Sequence, residues 1–583
     1  MKILAFAPHS FLWPHAFPEA QVLHSLRAQG AEILYVGCGE ALNSWCIPME
    51  STGADESLEE SKKKEICIQC VENNKKIERI FSFPKTTIAE VLKKEDFESI
   101  EKIMQSLTAS NVLDFQLDGL NFGRYSLYNH FLQHKKIDFV IDEDSWEAVR
   151  LHLITCLRSY FAGKRLIEDY KPDFVFFYSS GYSVNLVVRL HAEVKKIPTY
   201  SIFAGSNWAN RLETIHIAKR NSFTHFYERD DLWKTKFKYL PATKESLKNV
   251  ETFLHFVLKG QSTFLYGGTP SGKSAKEIQD FFHIPEGLKI TLLATSSYDE
   301  LKSAQLVDEL PLEESAIFEN QIEWIKETVE FFKKKNDCFL IIRVHPRELP
   351  NQRDQVLSKH YSELKKIFSN LPENVKVNLP SDNLSFYDLL ENIDFGLISW
   401  SSAGRDMAVW GIPFISYLKD YSFYPRGDLG IVPESKADYF SQIENLITND
   451  GWSFDRIIKT FRWLSFEIYD TVFDIRDIVD GRLILIESFF WRNFRRVLRR
   501  LKLDNYLKPQ PRVSKYSKQM FKRVISGRPT EEILEEGRSR LSTEQELEEI
   551  KQILNSLCEV KFGRNWKSDL SSKLRKKIFE YIK

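Results

Sequence analysis

Twice along this chain, short runs of buried-type apolar residues alternate with stretches of helical periodicity, and no other feature constrains the fold as much. In the first series, Ile3 to Ala7 reads as an apolar strand and His9 to Pro18 as a loop rich in aromatics, His and Pro. Glu19 to Gln29 has helical spacing and stops at Gly30, and Ala31 to Gly37 reads as the next strand. Further on, Pro172 and Asp173 introduce the apolar run Phe174 to Tyr178, followed by a turn at Ser179 to Gly181, a helix over Val184 to Lys195 and a strand over Ile197 to Phe203. The second series has strands at Lys289 to Ala294, Cys338 to Val344, Val375 to Asn378, Phe395 to Ser399 and Pro413 to Tyr417. Helices over Glu319 to Lys333, Ser358 to Phe368 and Ala403 to Trp410 separate them. Continuous apolar strands separated by helices are how parallel sheets, covered on both faces, are written in sequence. The expected fold class is therefore α/β, with two doubly wound Rossmann-like domains and a helical C-terminal extension.

With 583 residues the chain exceeds one core, and 43% apolar with 13% aromatic content supplies two. The expected division is a first domain over 1–245, a linker over 246–285, a second domain over 286–450 and a helical region over 451–583. A formal net charge of zero argues against a whole-protein nucleic-acid binder. Met1 and Lys2 lead straight into Ile3 to Ala7, so no secretory leader is expected, and no uninterrupted apolar stretch reaches the ~18 residues a membrane span needs. With its seven cysteines, the chain is expected in a reducing compartment, the cytoplasm.

Two stretches in the second series carry chemistry. The first is Leu340-Ile-Ile-Arg343-Val-His345-Pro346-Arg347-Glu348, a strand ending in a His-Pro turn flanked by arginines. Ligands of open α/β sheets bind beyond the carboxyl ends of strands, and an imidazole donor beside Arg343 and Arg347 suits a phosphate leaving group. A solvated His-Pro turn would look the same. The second, about fifty residues on, is Ile393-Asp-Phe-Gly-Leu-Ile-Ser399-Trp-Ser401-Ser402-Ala-Gly404-Arg405-Asp406-Met407, continuing to Gly411 and Pro413. It reads as strand, Ser-Ser turn, helix start and a Gly-x-Pro exit. Ser401 and Ser402 would present hydroxyls and backbone N–H groups to an anion, and Asp406 would lie one helical turn further on, toward ribose hydroxyls. An N-cap serine with a packing glycine is the plainer reading.

Together these motifs resemble the His-Pro type of GT-B glycosyltransferases of capsule and lipopolysaccharide synthesis. That family shows His-Pro at a strand end, then Ser-Ser or Ser-Thr followed by x-Gly-x-Glu-Ala-x-x-x-Gly-x-Pro. Here Ser401, Ser402, Gly404, Gly411 and Pro413 are in register, while Asp406 replaces the usual Glu and Met407 the usual Ala. The resemblance covers residues 1 to 470 in outline, and only the two motifs are specific. It implies transfer of a sugar from a nucleotide-sugar donor to a hydroxyl of a glycan or lipid-linked glycan, without a catalytic metal. Arg343, His345, Arg347, Ser401, Ser402, Gly404 and Asp406 would form the donor side. His9, His15 and Glu19, after the first strand, are the candidates for the base that deprotonates the acceptor. A nucleotide-sugar epimerase of the same fold, or a non-catalytic scaffold of polysaccharide assembly, are the rival classes.

Three further features stand outside this reading. Gly267-Gly-Thr-Pro-Ser-Gly272-Lys273-Ser274 matches the P-loop pattern, but it falls in the expected linker without a following magnesium-binding acid, so it is not expected to bind ATP. Cys38, Cys46, Cys67 and Cys70 form C-x7-C-x20-C-x2-C and are expected to converge on a structural zinc, although four unrelated thiols fit equally. Phe489 to Lys502, rich in arginine and aromatics, can form an amphipathic helix suited to peripheral contact with the inner membrane, or simply one packed on the enzyme body.

Overall fold

The computed structural model describes residues 1–261, 269–310, 317–351, 355–418, 423–479, 511–570 and 572–583. Twelve strands in these residues form two sheets. The first holds β1 (Lys2–Phe6), β2 (Glu32–Gly37), β3 (Lys85–Thr87), β4 (Phe174–Tyr178), β5 (Thr199–Ala204) and β6 (Thr214–Lys219). The second holds β7 (Lys289–Ala294), β8 (Cys338–Arg343), β9 (Val375–Asn378), β10 (Phe395–Ile398) and β11 (Phe414–Ser416). The last strand, β12 (Phe473–Asp474), returns to the first sheet, pairing antiparallel with β6.

The strand orders are β12-β6-β5-β4-β1-β2-β3 and β11-β10-β7-β8-β9. β1 to β5 are mutually parallel, as are all strands of the second sheet. Each sheet thus winds outward in both directions from its first strand. The strand order reverses between β1 and β4 in the first sheet and between β7 and β10 in the second. These are the topological switch points where α/β sheets open a crevice. Two doubly wound sheets in tandem are the GT-B arrangement.

Alternation within each strand builds the cores. Leu4, Phe6, Val175 and Phe177 face one side of the first sheet, and Ile3, Ala5 and Phe176 the other. In the second sheet Leu292 and Ile341 face one core and Leu293, Leu340 and Ile342 the opposite one. Apolar residues at consecutive positions are therefore buried on both faces, as parallel strands covered by helices require.

The helices that position the sites are α1 (Trp13–Arg27), α2 (Glu60–Phe81), α3 (Tyr128–Gln133), α4 (Trp146–Tyr170), α5 (Ser183–Val194), α6 (Lys244–Leu258), α7 (Ala275–Phe282), α8 (Tyr298–Leu306) and α9 (Ala403–Ala408). The first starts six residues earlier than the expected Glu19: Pro14 occupies its first turn, where a missing N–H costs nothing, and Pro18 is carried inside it. The stretch 246–285 contains most of α6 and all of α7, whose apolar faces join the core of the second sheet. The C-terminal region divides its packing. Met520 and Val524 of the helix Ser517–Ser526 enter the first-sheet core, whereas Ile550, Leu554 and Ile578 enter the second-sheet core. The basic run 489–502 lies outside the described residues. No described helix is long and apolar enough to cross a membrane.

The carboxyl edges of the two sheets meet across α3. Asn129 of α3 and Ser183 at the start of α5 exchange hydrogen bonds of 2.8 and 3.2 Å. On its other side, α3 packs against α8, the helix that follows β7. Arg347 Nη2 donates to Leu132 O at 2.6 Å, and Lys135 Nζ donates to Leu349 O and Val356 O at 3.4 and 2.5 Å.

Candidate functional site

At the first switch point, the loop after β1 and the turn after β4 frame a small cavity with room for about one water, lined by His9, His15, Glu19, Tyr178, Tyr182 and Asn185 among others. His15 and Glu19 reach it together because they lie four apart on α1, and so share one helical face. Treating this segment as a loop hid that pairing. His15 stacks on Tyr178 with ring centroids 4.3 Å apart, and His9 meets Tyr182 edge-on at 5.6 Å. Polar groups here are buried but poorly matched. Both nitrogens of His9, Nδ1 of His15 and Oε1 of Glu19 have no hydrogen-bond partner. Such orphans are costly, and a native site tolerates them where a ligand or solvent is to be met.

Their acidity follows from that environment. Burial lowers the His9 ring to about 3, with His15 adding to the effect. Burial also lowers His15 to about 4, helped by the positive charge of Arg211. Glu19 moves the opposite way: burial pushes its carboxyl up to about 8, against a backbone hydrogen bond from Tyr178. All three groups are thus held in their neutral forms near pH 7, because ions are disfavoured in a dry cavity. The sequence reading missed Tyr182 and Asn185. Their signal was the position just past the Ser179 to Gly181 turn at the end of β4.

The second switch point combines the ends of β7 and β10. His345 follows β8, next to β7, and Ser401 and Ser402 follow β10, so the two motifs share the carboxyl edge of one parallel sheet. His345 is tied by its backbone N–H to Thr295 Oγ1 at 2.8 Å, and its Nδ1 accepts from Arg347 N at 3.2 Å. Burial lowers its pKa, so the ring is neutral, and an accepting Nδ1 leaves the proton on Nε2. Ser401 Oγ accepts from Ala403 N at 3.3 Å, while Ser402 is exposed and starts α9 without a side-chain cap. Between them, Ser296 Oγ and Ser399 Oγ are buried without partners. Neither was among the expected donor-side residues, although Thr295-Ser-Ser297 at the end of β7 and Ser399 within the second motif carry them.

The charged residues expected on the donor side are engaged elsewhere. Arg343 donates to Asn378 Oδ1 and to Leu384 O at 3.2 Å, and burial lowers it to about 10. Arg347 binds Asp299 at 2.7 Å as well as Leu132 O across the interdomain contact. Asp406 accepts from Arg405 at 3.1 Å and from Tyr387 Oη at 3.3 Å, and Arg405 also pairs with Glu467 at 2.9 Å. That network, rather than a ribose, occupies the Asp406 carboxylate. Gly404 serves packing: a Cβ there would come within 2.4 Å of Tyr424 Oη and 2.6 Å of Ile398 Cδ1. The departure at Met407 is matched inside the sheet, since Gly396 of β10 leaves the space its thioether fills.

The four clustered cysteines do border one cavity, with Pro8, Glu40 and Ile66. Yet no three of their sulfurs lie within 4.8 Å of one another, because among the described residues only Glu56, His130 and His134 form such a group. Burial pushes the thiols of Cys38 and Cys70 up to about 12 and about 11, and raises Cys46 and Cys67. The described part of the P-loop-like stretch, residues 269–274, is occupied by protein. Ser271 Oγ and Gly272 N donate to Asp388 Oδ1 at 2.6 and 3.0 Å, Ser274 caps α7, and Lys273 Nζ lies 6.0 Å from the Phe281 ring centre.

No family model and no curated protein matches the sequence. Among solved structures, the chain is similar to the UDP-GlcNAc 2-epimerase from Neisseria meningitidis (12% identity, 79% of this chain and 97% of that one, TM-score 0.23). It is also similar to that from Methanocaldococcus jannaschii (13%, 79% and 98%, 0.24). The spinosyn rhamnosyltransferase SpnG is a third such structure (11%, 80% and 96%, 0.24). Likeness at this level assigns no activity, and the fold rests on the strand orders given above.

Proposed function

We propose that this chain is a glycosyltransferase that moves a sugar from a nucleotide-sugar donor to a hydroxyl of a bacterial surface glycan, of the capsule or lipopolysaccharide kind. One observation carries the reading: three buried titratable side chains with unmatched polar atoms, His9, His15 and Glu19, converge at the switch point of one sheet, in a molecule whose other sheet bears the His-Pro and Ser-Ser motifs at its own carboxyl edge. A transferase needs a base on the acceptor side and neutral donors on the leaving phosphate.

In this mechanism the donor diphosphate lies over the ends of β7, β8 and β10. The Nε2–H of His345 and the hydroxyls of Ser296, Ser399, Ser401 and Ser402 meet its oxygens. In its ionised form, which grows in as pH approaches 8, Glu19 takes the proton of the acceptor hydroxyl as that oxygen attacks the anomeric carbon and the bond to the nucleotide phosphate breaks. Of the three candidates Glu19 is the strongest base, since its conjugate acid loses its proton only near pH 8 whereas His15 does so near 4. Catalysis in this scheme uses no cofactor. The basic run 489–502 would hold the enzyme at the inner membrane, where lipid-linked acceptors are.

The test is to incubate purified protein with UDP-, GDP-, CDP-, ADP- and CMP-sugars, with and without surface-glycan acceptors. Nucleotide release that depends on acceptor supports transfer. Conversion of the sugar without acceptor would make the protein an epimerase instead, and binding of no nucleotide would leave a scaffold.

A further inference from the structure

One cluster of ligating side chains lies apart from both switch points. Glu56 belongs to the polar stretch between residues 50 and 66, which reads as a surface excursion, yet its side chain is buried. Three imidazoles converge on its Oε1: His130 Nδ1 at 3.2 Å, His134 Nε2 at 3.0 Å and His152 Nε2 at 2.8 Å. His134 is equally close to Oε2. The two carboxylate oxygens gather ring nitrogens from three histidines at one buried point. His130 and His134 lie one helical turn apart, at the end of α3, while His152 comes from α4. Gln133 Nε2 holds the Glu56 loop in place through Ala54 O at 3.0 Å. The other nitrogen of His130, Nε2, is buried and has no partner, so the ring has no polar anchor except this cluster.

We propose that Glu56, His130 and His134 form a binding site for a divalent transition-metal ion, with His152 orienting Glu56 through its 2.8 Å contact. Two imidazoles and a carboxylate are a donor set of zinc and its first-row neighbours, not of calcium or magnesium. His134, about one-third exposed, is the side from which the ion enters. The site ties residues 54–56 to α3 and α4. The residues beside its ligands, Leu132 and Lys135, make the contacts to Arg347, Leu349 and Val356 of the second domain. The bound ion thereby fixes the element on which the two carboxyl edges meet. This holds whether or not the chain transfers sugar.

The experiment uses the full chain, stripped with chelator and titrated with Zn²⁺ or Co²⁺. One equivalent is expected to bind, to raise the melting temperature, and with cobalt to give d–d absorption without a thiolate charge-transfer band. His134→Ala, at the exposed ligand, should weaken binding by at least about tenfold, and Glu56→Gln should do the same. Cys67→Ser should change nothing. Failure of the stripped wild-type chain to bind either ion overturns the proposal. So does a thiolate–cobalt band lost in Cys67→Ser and kept in His134→Ala, which would give the metal to the cysteines.

Discussion

The two carboxyl edges share a topology but not an electrostatic design. Around the first switch point, His9, His15 and Glu19 are buried with unmatched atoms. Around the second, Arg343, Arg347 and Asp406, charged residues of the motifs, are all matched within the protein; the unmatched atoms there are the hydroxyls of Ser296 and Ser399 and one oxygen each of Asp299 and Glu348, whose carboxylates are otherwise held by Arg347 and His360. An edge that moves a proton has to hold a titratable group under strain, because a fully hydrogen-bonded carboxylate is a poor base. An edge that receives a charged ligand needs rigid donors, and ion pairs behind them fix loop geometry without meeting the ligand.

Removing the strained acid should have the largest effect. Glu19→Gln is expected to lower kcat by roughly 10²–10⁴, the range for losing a general base. In the wild-type enzyme kcat/KM should rise with pH up to about 8, the value to which burial drives Glu19. A profile flat above about pH 5 would move the base to His15, which burial lowers to about 4. Stability gives an independent check. The unfolded chain releases this proton near the ordinary 4.5 and the folded chain keeps it until about 8. Stability from this group is therefore present below 4.5 and falls as pH rises through that window. Glu19→Gln does not titrate, so relative to wild type it should gain roughly 3–5 kcal/mol between pH 4.5 and 8, at about 1.36 kcal/mol per unit. Urea melts of both proteins at the two pH values measure it.

On the opposite edge, His345→Ala should cost about 2.7–4 kcal/mol of transition-state stabilisation, read as a 10²–10³-fold fall in kcat. Nδ1 of this ring also caps the turn at Arg347 N, so a stability loss of no more than a typical cap, about 1 kcal/mol, should accompany it. A fall in stability without a fall in kcat would reduce His345 to that structural role and remove the donor side of the comparison.

Gly404 separates packing from ligand contact on the same edge. The Cβ of Gly404→Ala would press on Tyr424 and Ile398, so about 1–3 kcal/mol of stability should be lost. Nucleotide affinity of the folded fraction should hold, as measured by calorimetry below the melting temperature.

Much of this was legible in the sequence, for a physical reason. Strands such as Phe174–Tyr178 and Cys338–Arg343 are buried on both faces, so each is an unbroken apolar run. β6 and β12 escaped notice because they are antiparallel additions at the sheet's margin, one carrying His216 and Lys219, the other only two residues long and arriving some 250 residues later in the chain. Site placement was legible to the level of the strand end and no further. Whether Arg347 meets a phosphate or Asp299 depends on a helix 48 residues away, and its bond to Leu132 spans 215. His9, His15 and Glu19 line one cavity because two of them share one helix face and the third begins the adjoining loop.

The smallest expected effect closes off a third candidate edge. The stretch ending in Gly272, Lys273 and Ser274 has the spacing of a phosphate loop, whose backbone N–H groups would cradle an anion. Here the anion is built in. The Asp388 carboxylate takes Ser271 Oγ and Gly272 N, and Lys561 Nζ lies 3.6 Å from it, so the charge is already balanced by a lysine other than Lys273. Ser274 meanwhile forms a capping box with Glu277 on α7, which turns the hydroxyl that would hold magnesium toward its own helix. A nucleotide phosphate would have to displace a buried, paired carboxylate, at a cost of several kcal/mol. Lys273→Ala should therefore change sugar transfer and nucleotide affinity by less than about twofold, and stability by no more than the ~0.5 kcal/mol of an ordinary surface substitution. A loss comparable to that of His345→Ala would mean that this loop, and not the switch point of the second sheet, receives the phosphate.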